Sequence, residues 1–207
     1  MEEPFRADSL QRMIDRLPAR GRLAFLLSCA ERLLPNYFAF SRAESWGDPS
    51  ALREAMDLGW AAFAGEQIAT TVIEISLRRC EAVTPDTEQF PSALVSAALD
   101  AAVCSALVLD YLLGGESQKV VEGASLARDT VDMHVQELEN LSPDDPLLEG
   151  KILRHSLMQR ELARQSKDLD LLQRTDWTHP DVVTALRSRW RAPGISNIGT
   201  AAGAPTV

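Results

Sequence analysis

The run from Ala93 to Leu113 constrains this chain more than any other stretch. It is rich in Ala, Val and Leu, it follows Pro91, and it ends at Gly114-Gly115. Proline starts helices well and glycine accepts the left-handed conformation that closes them, so one long helix is expected between these marks. A helix apolar nearly all round is either a membrane span or the buried rod of a bundle. Asp100 and Asp110 interrupt it, and an Asp near a bilayer centre costs about 2.5 to 3.5 kcal/mol on insertion scales. A bundle built around this helix, with no membrane, is therefore the reading.

The rest of the chain agrees with an all-α fold. Apolar residues recur with helical spacing, and no segment alternates convincingly with period two. A short helix is expected around Ser9 to Leu17. A second carries Leu23, Leu26, Leu27, Ala30, Leu33 and Leu34 and stops near Pro35, which has no N–H to continue the ladder. Asp48-Pro49 reads as the cap and first position of a third helix, whose stripe is Leu52, Met56, Trp60 and Phe63. A fourth runs from about Glu66 to Val83, and another from about Glu116 to Leu141 turns Val120, Ala124, Ala127, Val131, Val135 and Leu138 to one side. Asp145-Pro146 begins one further long helix, and the last spans about Asp181 to Arg191 with Thr178 as its cap. The result is a single compact bundle of seven to nine helices over residues 1–192. Residues 193–207 form a C-terminal segment, docked as far as about Gly199 and flexible beyond, because its small residues bury too little to order themselves.

Charge prunes the partners. Lys and Arg number 21 against 30 Asp and Glu, a net charge of −9, and that field repels nucleic acid and anionic membranes. The surplus is local: Glu116 to Gly150 holds nine acids and two bases, whereas Lys151 to Arg191 holds nine bases and five acids. Cys29, Cys80 and Cys104 stand far apart and imply no disulfide framework, and the opening Met-Glu-Glu-Pro-Phe-Arg lacks the features of a signal peptide. A cytoplasmic protein is expected.

No glycine-rich phosphate cradle, zinc or di-iron spacing, or nucleophile elbow is present, so neither metal nor cofactor is implied, and the balance leans away from an enzyme. What polar signal exists is a set of residues: Glu31, Arg32, Asn36, Tyr37, Asp48, Asp100 and Asn197. Glu31 and Arg32 fall just before the expected break at Pro35, where Arg32 would bind free carbonyls, or where Glu31, Arg32 and Asn36 would together face a cleft holding a polar ligand. Asp100, on the greasiest helix, must find a cation, and Arg32 is the natural candidate. Arg187, Arg189 and Arg191 read as a solvated face, or as a dock for the acidic hairpin of the same or another copy. The Ser196-Asn197 turn either ties the chain end to the bundle or completes a site with its amides.

Several of these residues together resemble the YjaG-like family, a bacterial family of unknown function. The likeness is carried by Cys-Ala-Glu-Arg-Leu-Leu-Pro-Asn-Tyr at 29 to 37 with Phe40, by Gly47-Asp48, by Ala-Leu-Asp-Ala-Ala-Val around Asp100, and by Gly-Ile-Ser-Asn-Ile-Gly at 194 to 199. It spans about Leu17 to Gly199. The resemblance implies a compact helical protein of a bacterial cytoplasm and no known activity, so no functional residue carries over. A Trp-Thr-His-Pro insertion at 177 to 180 and the longer tail after Gly199 depart from the pattern.

Two functions compete. The first is a non-catalytic interaction module whose acidic helical face takes a basic protein partner, as an immunity or antitoxin-like protein would. The second is a small-molecule binder or enzyme with one polar pocket around Glu31, Arg32, Asn36 and Asp100, to which Asn197 could be added. A homo-oligomer is compatible with either.

Overall fold

A computed structural model describes residues 7–191 and 194–201, and among them nine helices follow one another with no strand beyond one isolated bridge, Ile195 to Ala201. They are α1 (Ala7–Asp15), α2 (Ala19–Glu44), α3 (Pro49–Ala64), α4 (Thr70–Ala82), α5 (Val95–Gly114), α6 (Ser117–Leu138), α7 (Leu148–Arg154), α8 (Ser156–Arg174) and α9 (Val182–Arg191). The all-α bundle expected from periodicity is what forms. The flexible tail expected beyond Gly199 lies mostly outside the described residues.

Helix α5 is long and apolar enough to cross a membrane, with mean hydropathy 1.6, yet two thirds of it is covered by other helices. Its packing partners α2, α3, α4 and α6 account for that hydropathy. Gly115 closes it in the left-handed conformation, φ 70°.

The main correction concerns α2. It does not stop at Pro35 but continues through it to Glu44, and every residue from Leu23 to Tyr37 is buried. A proline inside a helix costs about 3 kcal/mol. Here Phe25, Leu26, Leu27, Leu33 and Tyr37 are all fully buried, and each such side chain contributes roughly 1.5 to 3 kcal/mol, enough to hold the helix together across the flaw. The deepest helix of the bundle is thus α2 rather than α5.

Three smaller expectations change. The long helix after Pro146 is two, because His155 is extended (φ −65°, ψ 141°) and its Nδ1 accepts from the Leu157 amide, capping α8. Helix α6 ends at Leu138, which is 59% exposed, while Val120, Ala124, Ala127, Val131 and Val135 are buried as its stripe predicts. Thr178 does not cap the last helix; its hydroxyl donates to Asp176 at 2.6 Å. By contrast Asp48 does cap α3, accepting from the Ser50 amide at 3.0 Å, and Leu52, Met56, Trp60 and Phe63 are buried. Helices α2, α5 and α6 close on one another at Gly123, where any Cβ would collide with the Leu26 side chain and lie 3.3 Å from Cys104 Sγ.

Candidate functional site

Pro35 has no N–H, so the hydrogen-bond ladder of α2 is open one turn earlier. The C-terminal segment fills that region: the Asn197 amide donates to the Arg32 carbonyl at 3.1 Å. Asn36 Nδ2 donates to Asn197 Oδ1 at 3.1 Å, Asn197 Nδ2 donates to the Ala127 carbonyl at 2.8 Å, and Arg160 donates to the Asn197 carbonyl at 2.6 Å. One fully buried asparagine therefore ties α2, α6 and α8 together. Ser196 makes its backbone position possible, since its hydroxyl accepts from the Ile198 and Thr200 amides. Sequence reasoning grouped Asn36 and Asn197 in one polar cluster, and these two do meet, although the direct bond between them was not foreseen.

Arg32 is buried, and its acids are not Asp100 but Asp168 and Glu161 of α8, at 2.6 and 3.4 Å. The two carboxylates hold the guanidinium's pKa above its ordinary value against the opposing effect of burial. Asp168 is further satisfied by Trp190 Nε1 at 3.0 Å. Glu161, Gln165 and Asp168 form a buried polar stripe on α8 at helical spacing, and Gln165 donates to the Ala124 carbonyl and to Glu161. None of the three was a candidate, although i, i+4 and i+7 spacing of polar residues opposite an exposed face was the available signal.

Glu31, next in sequence to Arg32, is turned to α3. It accepts two hydrogen bonds from Arg53, at 2.7 and 2.9 Å, and one from Trp60 Nε1 at 2.8 Å. Adjacent helix positions lie about 100° apart, so this pair cannot act as one site. Asp100 takes its hydrogen bond from Thr130 of α6 at 2.6 Å, and burial pushes its carboxyl up to about 6. The pocket expected around Glu31, Arg32, Asn36 and Asp100 is therefore divided: Glu31 and Asp100 each have partners of their own, the Arg32 guanidinium is held by α8, and Arg32 and Asn36 are linked only through Asn197, whose amide donates to the Arg32 carbonyl.

Tyr37 and Asp48 belong to a corner. Tyr37 donates to the Val83 carbonyl at 2.7 Å, and Gly47 beneath it has φ 82° and no room for a Cβ against the tyrosine hydroxyl. Asp48 pairs with Arg79 at 3.5 Å besides capping α3. The basic trio of α9 is not simply a solvated face: Arg187 and Arg191 both pair with Asp57 of α3, at 2.7 and 3.2 Å, and Arg189 approaches Asp168 at 3.8 Å. All three cysteines are free and buried, and burial raises each thiol's pKa, to about 12 for Cys29 and Cys80, which makes a nucleophilic role unfavourable. Among the described residues no group of acids, histidines and cysteines is arranged to hold a metal ion.

Two surface features remain. A cleft of about 320 Å³ opens where α2, α8, α9 and the C-terminal segment meet, lined by Arg32, Arg164, Asp168, Arg189, Trp190 and Ile195. The acidic stretch found in the sequence lies on α6, α7 and the turns between them. There Met133, Leu138 and Leu147 are 45%, 59% and 63% exposed, among exposed Asp129, Glu137, Glu139, Asp144 and Glu149.

Residues 9–201 match the family described as "Protein of unknown function (DUF416)". An uncharacterized protein of Haemophilus influenzae is 26% identical over 192 residues, covering 92% of this chain and 95% of that one. The crystal structure of a DUF416 family protein from Shewanella baltica superposes with a TM-score of 0.84 at 25% identity, over 92% of this chain and 97% of that one.

Proposed function

This chain belongs to the DUF416 family, and from that premise, which brings no activity with it, we propose a non-catalytic protein-interaction module that receives a basic partner on its acidic helical face. One observation carries the reading: the local acid surplus coincides with apolar side chains left in water. Of the seven large hydrophobic residues that are well exposed among the described residues, three (Met133, Leu138 and Leu147) sit among the acids of the α6 to α7 region. Isolated exposed hydrophobics are ordinary; apolar side chains set among a surplus of one charge, here acids that outnumber bases such as Lys151 and Arg154 of α7, are what a charge-steered docking surface needs. The apolar centre supplies desolvation and the acid rim supplies on-rate and choice of partner.

The partner would be a protein with a basic, partly apolar patch, and an immunity or antitoxin-like pairing is one concrete form. Three buried free thiols support a cytoplasmic setting. The Glu31 to Tyr37 and Ser196 to Gly199 elements support grouping the chain with the YjaG-like proteins. Affinity isolation from the native host at low and high salt tests the reading, with wild type beside Glu137→Lys/Glu139→Lys and Leu138→Asp. A basic protein that wild type retains at low salt, and that high salt or either variant releases, is the expected result. If wild type retains nothing at either salt, or both variants retain the same protein as wild type, the reading fails.

A further inference from the structure

The cleft between α2, α8 and α9 is lined by more positive than negative charge, in a chain that is acidic overall. Arg32, Arg164 and Arg189 line it against a single acid, Asp168, in a chain whose net charge is −9. Asp168 is already occupied, holding Arg32 at 2.6 Å and Trp190 Nε1 at 3.0 Å, with Arg189 at 3.8 Å. Arg164 is half-buried and makes neither an ion pair nor a hydrogen bond with any described residue. It stands one turn after Arg160 on the same side of α8, and like charges at that spacing repel. Arg160 is itself committed to the Asn197 carbonyl. Burial, Arg160 and Arg32 weaken the hold of Arg164 on its proton, and the nearby charges of Glu161 and Asp168 only partly offset them. Arg32 Nε is buried and without a partner as well.

We infer that this cleft is a binding site for a small organic anion, a carboxylate or phosphate head on a flat apolar body. A planar guanidinium with free N–H groups matches the two oxygens of such a head, and Arg164, assisted by Arg189, supplies it. The Trp190 ring and the half-exposed Ile195 line the same cleft and would take the apolar body. The volume, about 320 Å³, is that of a small-ligand pocket, at the lower end of the usual range. Arg32 and Asp168 are the positioning residues: locked by each other and by Glu161 and Trp190, they present a rigid wall and leave the anion to Arg164. The site uses none of the acidic side chains proposed to receive a protein partner, so the two readings stand or fall apart.

Calorimetric titration and thermal melts of the full chain test this with four probes: phenyl phosphate, benzoate, inorganic phosphate and benzyl alcohol. Phenyl phosphate, benzoate or both are expected to bind, and whichever binds identifies the head. Benzyl alcohol should fail for want of charge, and inorganic phosphate should bind more weakly for want of an apolar body. Arg164→Gln should weaken the bound probe by roughly tenfold or more, the loss expected for one charge-assisted pair, and Arg189→Gln by less. Arg164 is half-buried and bonded to nothing else, so its variant should fold, which far-ultraviolet circular dichroism verifies. Silence from both organic anions up to about 10 mM, weaker than any affinity a built pocket of this size should show, overturns the inference. So does unchanged binding by Arg164→Gln, and so does inorganic phosphate binding as tightly as phenyl phosphate, the mark of an adventitious ion only.

Discussion

Helices α2 and α5 cross the same core and handle charge differently. Helix α5 is almost wholly apolar and carries two half-buried acids: Asp100, whose hydrogen bond comes from an uncharged hydroxyl, Thr130, and Asp110, which meets Lys119 of α6 at 3.5 Å. Helix α2 is far less apolar and buries Glu31 and Arg32 side by side, each answered by opposite charge from a neighbouring helix: Arg53 of α3 for the first, Asp168 and Glu161 of α8 for the second. The lesson is that depth in this bundle follows the supply of partners rather than hydropathy. A polar helix can run through the centre when every charge on it is met, because a paired and hydrogen-bonded ion escapes most of the desolvation penalty that a bare one suffers.

The severest way to break the contrast is to remove one ion from α2. Arg32→Met should cost about 3 to 5 kcal/mol, since it leaves Asp168 and Glu161 buried without their cation; denaturant unfolding would show it as a lower midpoint. A loss below about 1 kcal/mol would mean that water already reaches the two acids. Asn197→Ala comes next, at about 2 to 4 kcal/mol, because Asn36 and the Ala127 carbonyl both lose a buried partner. Hydrogen exchange in this variant should quicken at the chain end and around Asn36 before it does in α5.

The contrast is sharpened on the other helix by pH. The Asp100 carboxyl sits at about 6, above an ordinary value of 3.8, because it is buried. Between those two values the folded chain holds a proton that the unfolded chain has released. The group's contribution therefore becomes less favourable as pH rises through that window and remains so above it. Asp100→Asn keeps an acceptor for Thr130 and should be more stable than wild type by about 1 to 2 kcal/mol at pH 8, with the advantage fading towards pH 4. A pH-independent difference between the two proteins would show that Asp100 is fully hydrated. The smallest effect is expected outside the core: Arg191→Gln breaks only an exposed pair with Asp57 and should shift stability by less than about 0.5 kcal/mol.

Elements with strong local punctuation were legible in advance. Asp48-Pro49, the α3 stripe and the Gly114-Gly115 stop each act within a turn or two of chain, and the structure keeps all of them. Pro35 shows the limit, because its local rule is sound and was overruled by burial contributed from distant helices. The candidate polar residues were found as types and misjudged as a group. Arg32 met acids 129 and 136 positions away that nothing in its neighbourhood announced, and Asp100 met a hydroxyl instead of a cation. Arg164 went unnoticed because a single arginine on a polar helix looks solvated until three other segments wall it in.

Amino-acid order alone determined that this chain would be helical, that an apolar rod would lie inside, and that negative charge would gather on one hairpin, because propensity, periodicity and net charge are properties of nearby residues. Only the tertiary structure decided which helix lies deepest, which acid answers which arginine, and that a cationic cleft opens in an acidic protein. Those outcomes depend on pairings across more than a hundred residues, where the free energy lies in desolvation and contact between segments that no local pattern brings together.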